Sequence, residues 1–139
     1  MIALSNNDPL GRALRIEPDM TEAHYTLGIT EWQAGNLEKT VEQMRIATEQ
    51  RPEYAQAWFM LGTALKQKDD LDGAAAALRK SIALGIKDPG PYNTLGLILR
   101  QRGDEEGARM AFAKAADIER AAESDQAELL REGAAHGRQ

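Results

Sequence analysis

The sequence predicts an all-α protein in which antiparallel helix pairs stack in series. Leu-Gly pairs recur at a constant interval, at Leu27-Gly28, Leu61-Gly62 and Leu95-Gly96, and a fixed period of this length indicates a repeat architecture. Apolar residues recur at spacings of three and four and do not alternate by two, which is typical of amphipathic helices rather than strands. Two further Leu-Gly pairs lie outside this register, so the period must also be supported by other residues. We call the residues that occupy the same position in successive units a column.

The other columns of the 34-residue period agree and locate the two helices of each unit. They hold an aromatic residue or histidine (His24, Trp58, Tyr92), a turn-forming pair (Gly35-Asn36, Asp69-Asp70, Gly103-Asp104), a small residue (Thr40, Ala74, Ala108), a large apolar residue (Met44, Leu78, Phe112) and a second small residue (Ala47, Ser81, Ala115). Each unit is therefore predicted to be two helices joined by a short turn at the Gly/Asn/Asp pair.

The glycine of each Leu-Gly pair lies inside a predicted helix, where glycine costs about 1 kcal/mol relative to alanine. A close approach by another backbone would offset this cost. We therefore expect Gly28, Gly62 and Gly96 to lie where the second helix of the same unit crosses the first. A bulky side chain at Gly62 is expected to overpack that crossing and to cost about 1–3 kcal/mol or more.

The period divides the chain into three full units and two partial ones. Leu10, Ala13 and Pro18 lie one period before Met44, Ala47 and Pro52, so an isolated second helix is expected at the N-terminus. Leu129 lies one period after Leu95, but Leu130 replaces the glycine, as expected of a terminal capping helix. The predicted organisation is a lead at 1–7, a half-repeat helix at 8–20, full repeats at 21–54, 55–88 and 89–122, a capping helix at 123–132 and a disordered tail at 133–139.

Composition excludes several classes of function. The 139 residues are 42% hydrophobic and 28% charged, include no cysteine and carry a net charge of −5. A chain of this kind can form a core but has neither a disulfide framework nor a thiolate zinc site. The acidic balance and the lack of a basic face argue against nucleic acid as a partner. No stretch of 18 apolar residues is present, so no membrane association is expected, and the cytoplasm is the compartment expected by default.

No constellation of residues in the sequence indicates catalysis, a metal or a cofactor. The two histidines, His24 and His136, fall in a packing column and in the predicted tail. The run Asp69-Asp70-Leu71-Asp72-Gly73 resembles a calcium loop, but Lys68 and Arg79 occupy places where that loop needs oxygen ligands. We interpret the run as a helix start whose carboxylates suit the helix dipole. The sequence predicts a protein that is not an enzyme.

The repeat pattern resembles the tetratricopeptide repeat. Trp58, Leu61, Gly62, Leu65, Ala74 and Leu78 match that repeat best. The chain departs from it at Glu31, Thr40, Ile86 and Arg120, where an aromatic residue, alanine and two prolines are usual. The resemblance covers roughly residues 8 to 131 and implies a right-handed superhelix whose first helices line a concave groove.

A stripe on the first helices matches the groove-lining positions of this family. Tyr25, Ile29 and Trp32 follow the i, i+4, i+7 spacing that places three residues on one helical face. Trp32 shares its column with Lys66 and Arg100, so we expect that column to face water. The resemblance implies a peptide- or partner-binding site formed by Tyr25, Ile29, Trp32, Phe59, Thr63, Lys66, Gln67, Asn93, Leu97, Arg100 and Gln101.

Each of these residues also has a structural interpretation. Tyr25 and Phe59 could cover the joints between units, Lys66 and Arg100 could be solvated charges, and the glutamines could form hydrogen bonds at helix ends. The residues that hold a terminal carboxylate in chaperone-binding members of the family are missing, because Tyr25, Ile29, Met60, Gly90 and Thr94 stand in those places. A ligand with apolar or aromatic groups and acidic character near Lys66 and Arg100 is expected instead.

The predicted function is a non-catalytic protein-protein interaction scaffold. Two alternatives remain open. The N-terminal apolar edge at Leu10, Leu14 and Ile16 would make the chain a homo-oligomerisation element if it pairs with a second copy. The chain would instead be a regulatory fragment if it belongs to a longer repeat-containing protein.

Overall fold

The computed structural model describes residues 19–137, and every regular element in that range is an α-helix. The half-repeat helix predicted before residue 19, with Leu10, Leu14 and Ile16, lies outside the described residues. Six helices follow in order: α1 Thr21–Gln33, α2 Leu37–Gln50, α3 Ala55–Gln67, α4 Leu71–Ala83, α5 Gly90–Gln101 and α6 Glu105–His136. They form three antiparallel pairs, α1/α2, α3/α4 and α5/α6, and the predicted all-α repeat fold is confirmed.

The crossing within each pair is close at the three glycines, as predicted. A Cβ atom added to Gly28 would lie 2.6 Å from Met44 Cε, one added to Gly62 would lie 2.7 Å from Leu78 Cγ, and one added to Gly96 would lie 2.7 Å from Phe112 Cε1. Each glycine therefore accommodates the large apolar residue of its own second helix. Met44 and Leu78 are fully buried at these crossings.

The turns inside the pairs share one backbone conformation. Gly35, Asp69 and Gly103 have φ values of +80°, +65° and +84°, in the left-handed region where glycine carries no steric penalty. The next residue is the N-cap of the second helix, and the carboxylates of Asp70 and Asp104 each accept a hydrogen bond from a backbone N–H in the first turn. The Asp69–Gly73 run is therefore a helix start, as interpreted from the sequence.

The pairs stack in series with the first helices on the inner side. Backbone contacts join α1 to α3 and α3 to α5, whereas the described second helices α2, α4 and α6 make no such contacts with one another. First helices that touch and second helices that diverge produce a curved array. The surface formed by α1, α3 and α5 is therefore the concave one.

The C-terminal end differs from the prediction. Residues 105 to 136 form one continuous helix, so the separate capping helix expected at 123–132 is the distal part of α6, and the expected tail is helical as far as His136. The physical reason is the lack of a stop signal, because residues 108 to 132 contain neither glycine nor proline. Every residue from 119 to 137 is exposed.

Candidate peptide-binding groove

Two of the predicted groove residues hold the joints between units. The Tyr25 ring lies 5.1 Å from the Tyr54 ring, centroid to centroid, with the two planes inclined at 52°. The Phe59 ring packs against Gly90, where an added Cβ would lie 2.8 Å from Phe59 Cε2. Both aromatic side chains are half-buried. The structural interpretation offered for Tyr25 and Phe59 is therefore supported, and any ligand would contact only the parts of the rings that stay exposed.

Asn93 occupies the same column as these two aromatic residues and is also half-buried. It belongs to the last helix pair, where no described unit follows that a large ring would cover.

The surroundings of Tyr25 are less polar than bulk water. Burial raises the pKa of the Tyr25 hydroxyl, and Tyr54 and Asp88 raise it further. Tyr54 and Asp88 are one repeat period apart. Tyr54 directly precedes α3 and Asp88 lies two residues before α5, so the period could have identified them as a groove column. The sequence prediction missed both residues because they lie just before the helices rather than on them.

The column of Trp32, Lys66 and Arg100 lies at the border between packed and accessible surface. Trp32 packs against the buried cluster of the first units and is half-buried, so the expectation that its column faces water holds only in part. Lys66 is half-buried, and Arg100 is exposed with its guanidinium carbon 5.7 Å from the Phe112 ring centroid. Neither cation forms an ion pair with another described residue.

The remaining groove residues supply apolar and polar surface. Ile29 is half-buried against the core, and Leu97 is 39% exposed on α5. The Thr63 hydroxyl donates to the Phe59 carbonyl oxygen at 2.9 Å, so it is already satisfied within α3. Gln67 and Gln101 are exposed at the ends of α3 and α5. The helices thus bring all eleven predicted residues onto α1, α3 and α5, with two cations beside partly accessible apolar groups.

The described part of the chain places His24 at a helix crossing and contains neither a metal-binding cluster nor a membrane-spanning helix. The His24 imidazole Nδ1 lies 2.7 Å from Gln43 Oε1, which ties this histidine to the α1/α2 crossing. Within residues 19–137, no three His, Asp or Glu side chains are grouped to hold a metal ion. None of the described helices combines the length and the apolar character needed to cross a bilayer.

The chain belongs to the tetratricopeptide repeat (TPR) family. Family models described as tetratricopeptide repeat match residues 25–89 and residues 90–121, which together make up more than half of the chain. A comparison with curated protein sequences found no significant match.

Solved structures with a similar fold include several TPR proteins. The chain is similar to MamA, with 27% identity, coverage of 77% of this chain and 63% of the MamA chain, and a TM-score of 0.69. The chain therefore spans 63% of the length of that MamA chain.

Two of the similar structures contain peptides. One is the Yersinia enterocolitica type III secretion chaperone SycD in complex with a peptide of the translocator YopD, with 19% identity, coverage of 75% of this chain and 79% of that chain, and a TM-score of 0.70. The other is the first TPR of Spaghetti (RPAP3) bound to the HSP90 peptide SRMEEVD, with 11% identity, coverage of 76% and 84%, and a TM-score of 0.70. At these identities the likeness shows the fold alone.

Proposed function

We propose that this chain is a non-catalytic protein-interaction module that binds a peptide or a partner helix along the inner surface of α1, α3 and α5. The observation that carries the proposal is the contact pattern of the helices. The first helices touch in series and the second helices do not, so the inner surface is concave and continuous. TPR structures with bound peptides support this ligand class.

The side chains on the inner surface indicate the chemistry of the ligand. Ile29, Trp32 and Leu97 keep part of their apolar surface accessible. Lys66 and Arg100 add two cations that no other described residue neutralises. A ligand with apolar or aromatic anchors and acidic groups beside them would satisfy both features. Tryptophan is well suited to such contacts because it buries a large rigid surface.

The ligand differs from a chaperone C-terminus. Positions that hold a terminal carboxylate in chaperone-binding members are occupied here by Tyr25, Ile29, Met60, Gly90 and Thr94, which supply no cation. Gly90 is also covered by the Phe59 ring. We expect an internal segment of a partner, bound with a free energy of about −8 kcal/mol, because ordering a free peptide consumes much of the contact energy.

Charge reversal on the two sides of the array tests the proposal. Peptides are first selected on the wild-type chain from a displayed random library. Their affinities for wild type and for the Lys66→Glu/Arg100→Glu variant are then measured by fluorescence anisotropy. The matched control is Lys39→Glu/Arg45→Glu, which makes the same change on exposed positions of α2. We expect acidic, aromatic-containing peptides that bind the inner variant at least about tenfold more weakly and the outer variant like wild type.

A Trp32→Ala variant tests the apolar contact separately. Tyr25 and Phe59 are left unchanged because their rings hold the joints between units. Removing either ring would lower the stability of the array as well as its affinity for the peptide. Equal affinity of the selected peptides for wild type, the inner charge variant and Trp32→Ala would overturn groove binding.

A further inference from the structure

The distal part of α6 projects beyond the rest of the molecule. Every residue from 119 to 137 is exposed, and α6 makes backbone contacts with α5 alone among the other described helices. We call residues 119–136 the α6 extension; at 1.5 Å per residue it is about 27 Å long. Leu129 and Leu130 are 67% and 68% exposed on it. A packing partner would stabilise the extension by burying these two leucines.

A groove of about 480 Å³ lies open beside the base of the same helix. We call it the end groove. Its apolar lining comes from α5 and α6 and consists of Tyr92, Leu95, Leu99, Met110 and Ala111. Two cations, Arg79 and Lys114, lie at its rim. Asp117 also lines it but is paired with Arg120.

The repeat period shows which element packs against the equivalent surface of the preceding unit. The equivalent residues of the preceding unit, one period earlier, are covered by α5: Leu61, Leu65 and Ala77 are 4%, 5% and 3% exposed. In the last unit the matching surface has no described helix over it, and Leu99, the equivalent of the buried Leu65, is only half-buried. The end groove therefore continues an established helix-packing interface.

Charge favours the α6 extension as the occupant. The extension carries five carboxylates against two arginines, whereas Arg79 and Lys114 at the groove rim form no ion pair with another described residue. The extension of the same chain is held away from its own groove, because a return would require a turn and residues 108 to 132 contain no glycine or proline. An acidic helix from a second copy needs no such turn.

We propose that two copies of this chain form a two-fold dimer in which the α6 extension of each occupies the end groove of the other. The two α6 helices run antiparallel, so residues near the end of one face residues near the start of the other. Leu129 lies about five helical turns beyond Ala111 and so continues the groove-facing side of α6. In the register that brings opposite charges together, Glu128 lies opposite Lys114 of the second copy.

A charge swap tests this register. The masses of wild type, Lys114→Glu, Glu128→Lys and the double variant are measured by light scattering after size exclusion over a wide range of concentrations. Wild type is expected to reach twice the mass of one chain. Each single variant is expected to raise the dimer dissociation constant at least about tenfold, and the double variant to restore it, because the swapped charges meet again across the two-fold axis. Both positions of change are exposed, so circular dichroism should show unchanged helicity.

Leu129→Ala and Leu130→Ala give a matched pair of similar exposure on different sides of the helix. The first is expected to weaken the dimer more than the second. A monomer at every concentration would overturn the proposal. A dimer that neither single charge change weakens would also overturn it, because the contact would then lie elsewhere on the chain. Failure of the double variant to restore the dimer would overturn it as well.

Discussion

At the start of the second helices, the cap forms a side-chain hydrogen bond in the two units that have glycine three positions later. Asp70 Oδ1 accepts from Gly73 N at 3.0 Å, and Asp104 Oδ1 accepts from Gly107 N at 2.9 Å. A Cβ on Gly73 would lie 2.5 Å from Asp70 Oδ2. In the first unit Lys39 replaces the glycine, and Asn36 forms no capping bond but donates to Glu31 instead. Glycine at this position thus accompanies a close carboxylate cap.

The carboxylate of Asp19 makes the stability of the folded chain sensitive to acid. Hydrogen bonds from Thr21 and from the Arg51 guanidinium lower the pKa of Asp19 from 3.8 to about 2. Because the folded-state pKa is lowered, the stabilisation is present above pH 4 and is lost as the pH falls towards 2. We therefore expect Asp19→Asn to destabilise the protein more at pH 7 than at pH 2, as measured by urea unfolding at both pH values.

Glu49→Gln is the control for this experiment, since it removes one exposed carboxylate near the end of α2 that forms no ion pair with another described residue. Arg51 also pairs with Glu22 at 2.7 Å, so the link spans from the end of α2 to the start of α1. A loss of stability by Asp19→Asn that is the same at pH 7 and pH 2 would show that the Asp19 charge plays no part.

At the scale of the helix, the three glycine crossings differ in what surrounds them. An added Cβ at Gly62 meets the Leu78 branch point at 2.7 Å and the Ala74 carbonyl oxygen at 3.1 Å. At Gly28 it meets the flexible end of Met44 at 2.6 Å. We expect Gly62→Ala to cost about 1–3 kcal/mol, because neither neighbour moves easily. Gly28→Ala is expected to be close to neutral, since Met44 can adjust and alanine favours the helix.

Urea unfolding of the two variants beside wild type measures the difference. Both substitutions change glycine to alanine inside a first helix, so helix propensity is matched and only the crossing differs. Equal stability of the two variants would show that the Leu78 contact does not limit the approach of α3 and α4.

The same elements show how far the sequence determines the fold. The repeat period predicted the helix pairs and the glycine crossings, because each column reports a repeated packing contact such as Gly62 on Leu78. It failed at α6, since the expected break after residue 122 rested on analogy with earlier units and no glycine or proline is present there. Because no helix-terminating residue is present, α6 continues to His136.

The face on which the candidate residues lie could be predicted from helical spacing, but their packing partners could not. The spacing of residues such as Ile29 and Trp32 placed them on one helical face, as the structure shows. It did not show that Tyr25 would meet Tyr54, or that Phe59 would cover Gly90, because these partners occupy different repeat positions in the two joints. Whether the inner surface binds a peptide stays a prediction.

For the molecule as a whole, stability depends on which units have neighbours on both sides. Each helix pair contacts only the pairs next to it, so the array behaves as a chain of nearest-neighbour interfaces. The α3/α4 pair is covered by the first pair on one side and by the third on the other. Its fully buried residues include Ala57, Ala64, Ala74 and Leu78.

Native-state hydrogen exchange tests this graded stability. Because local opening of a helix pair breaks only the interfaces that the pair makes, amides of α3 and α4 are expected to exchange most slowly and those of α1 and α2 faster. Amides of the α6 extension are expected to exchange fastest within α6 at low protein concentration, since all of its side chains are exposed. The slope of exchange against urea separates local from global opening for each helix. Equal protection of all three pairs would mean that the array opens as one cooperative unit, against the nearest-neighbour description.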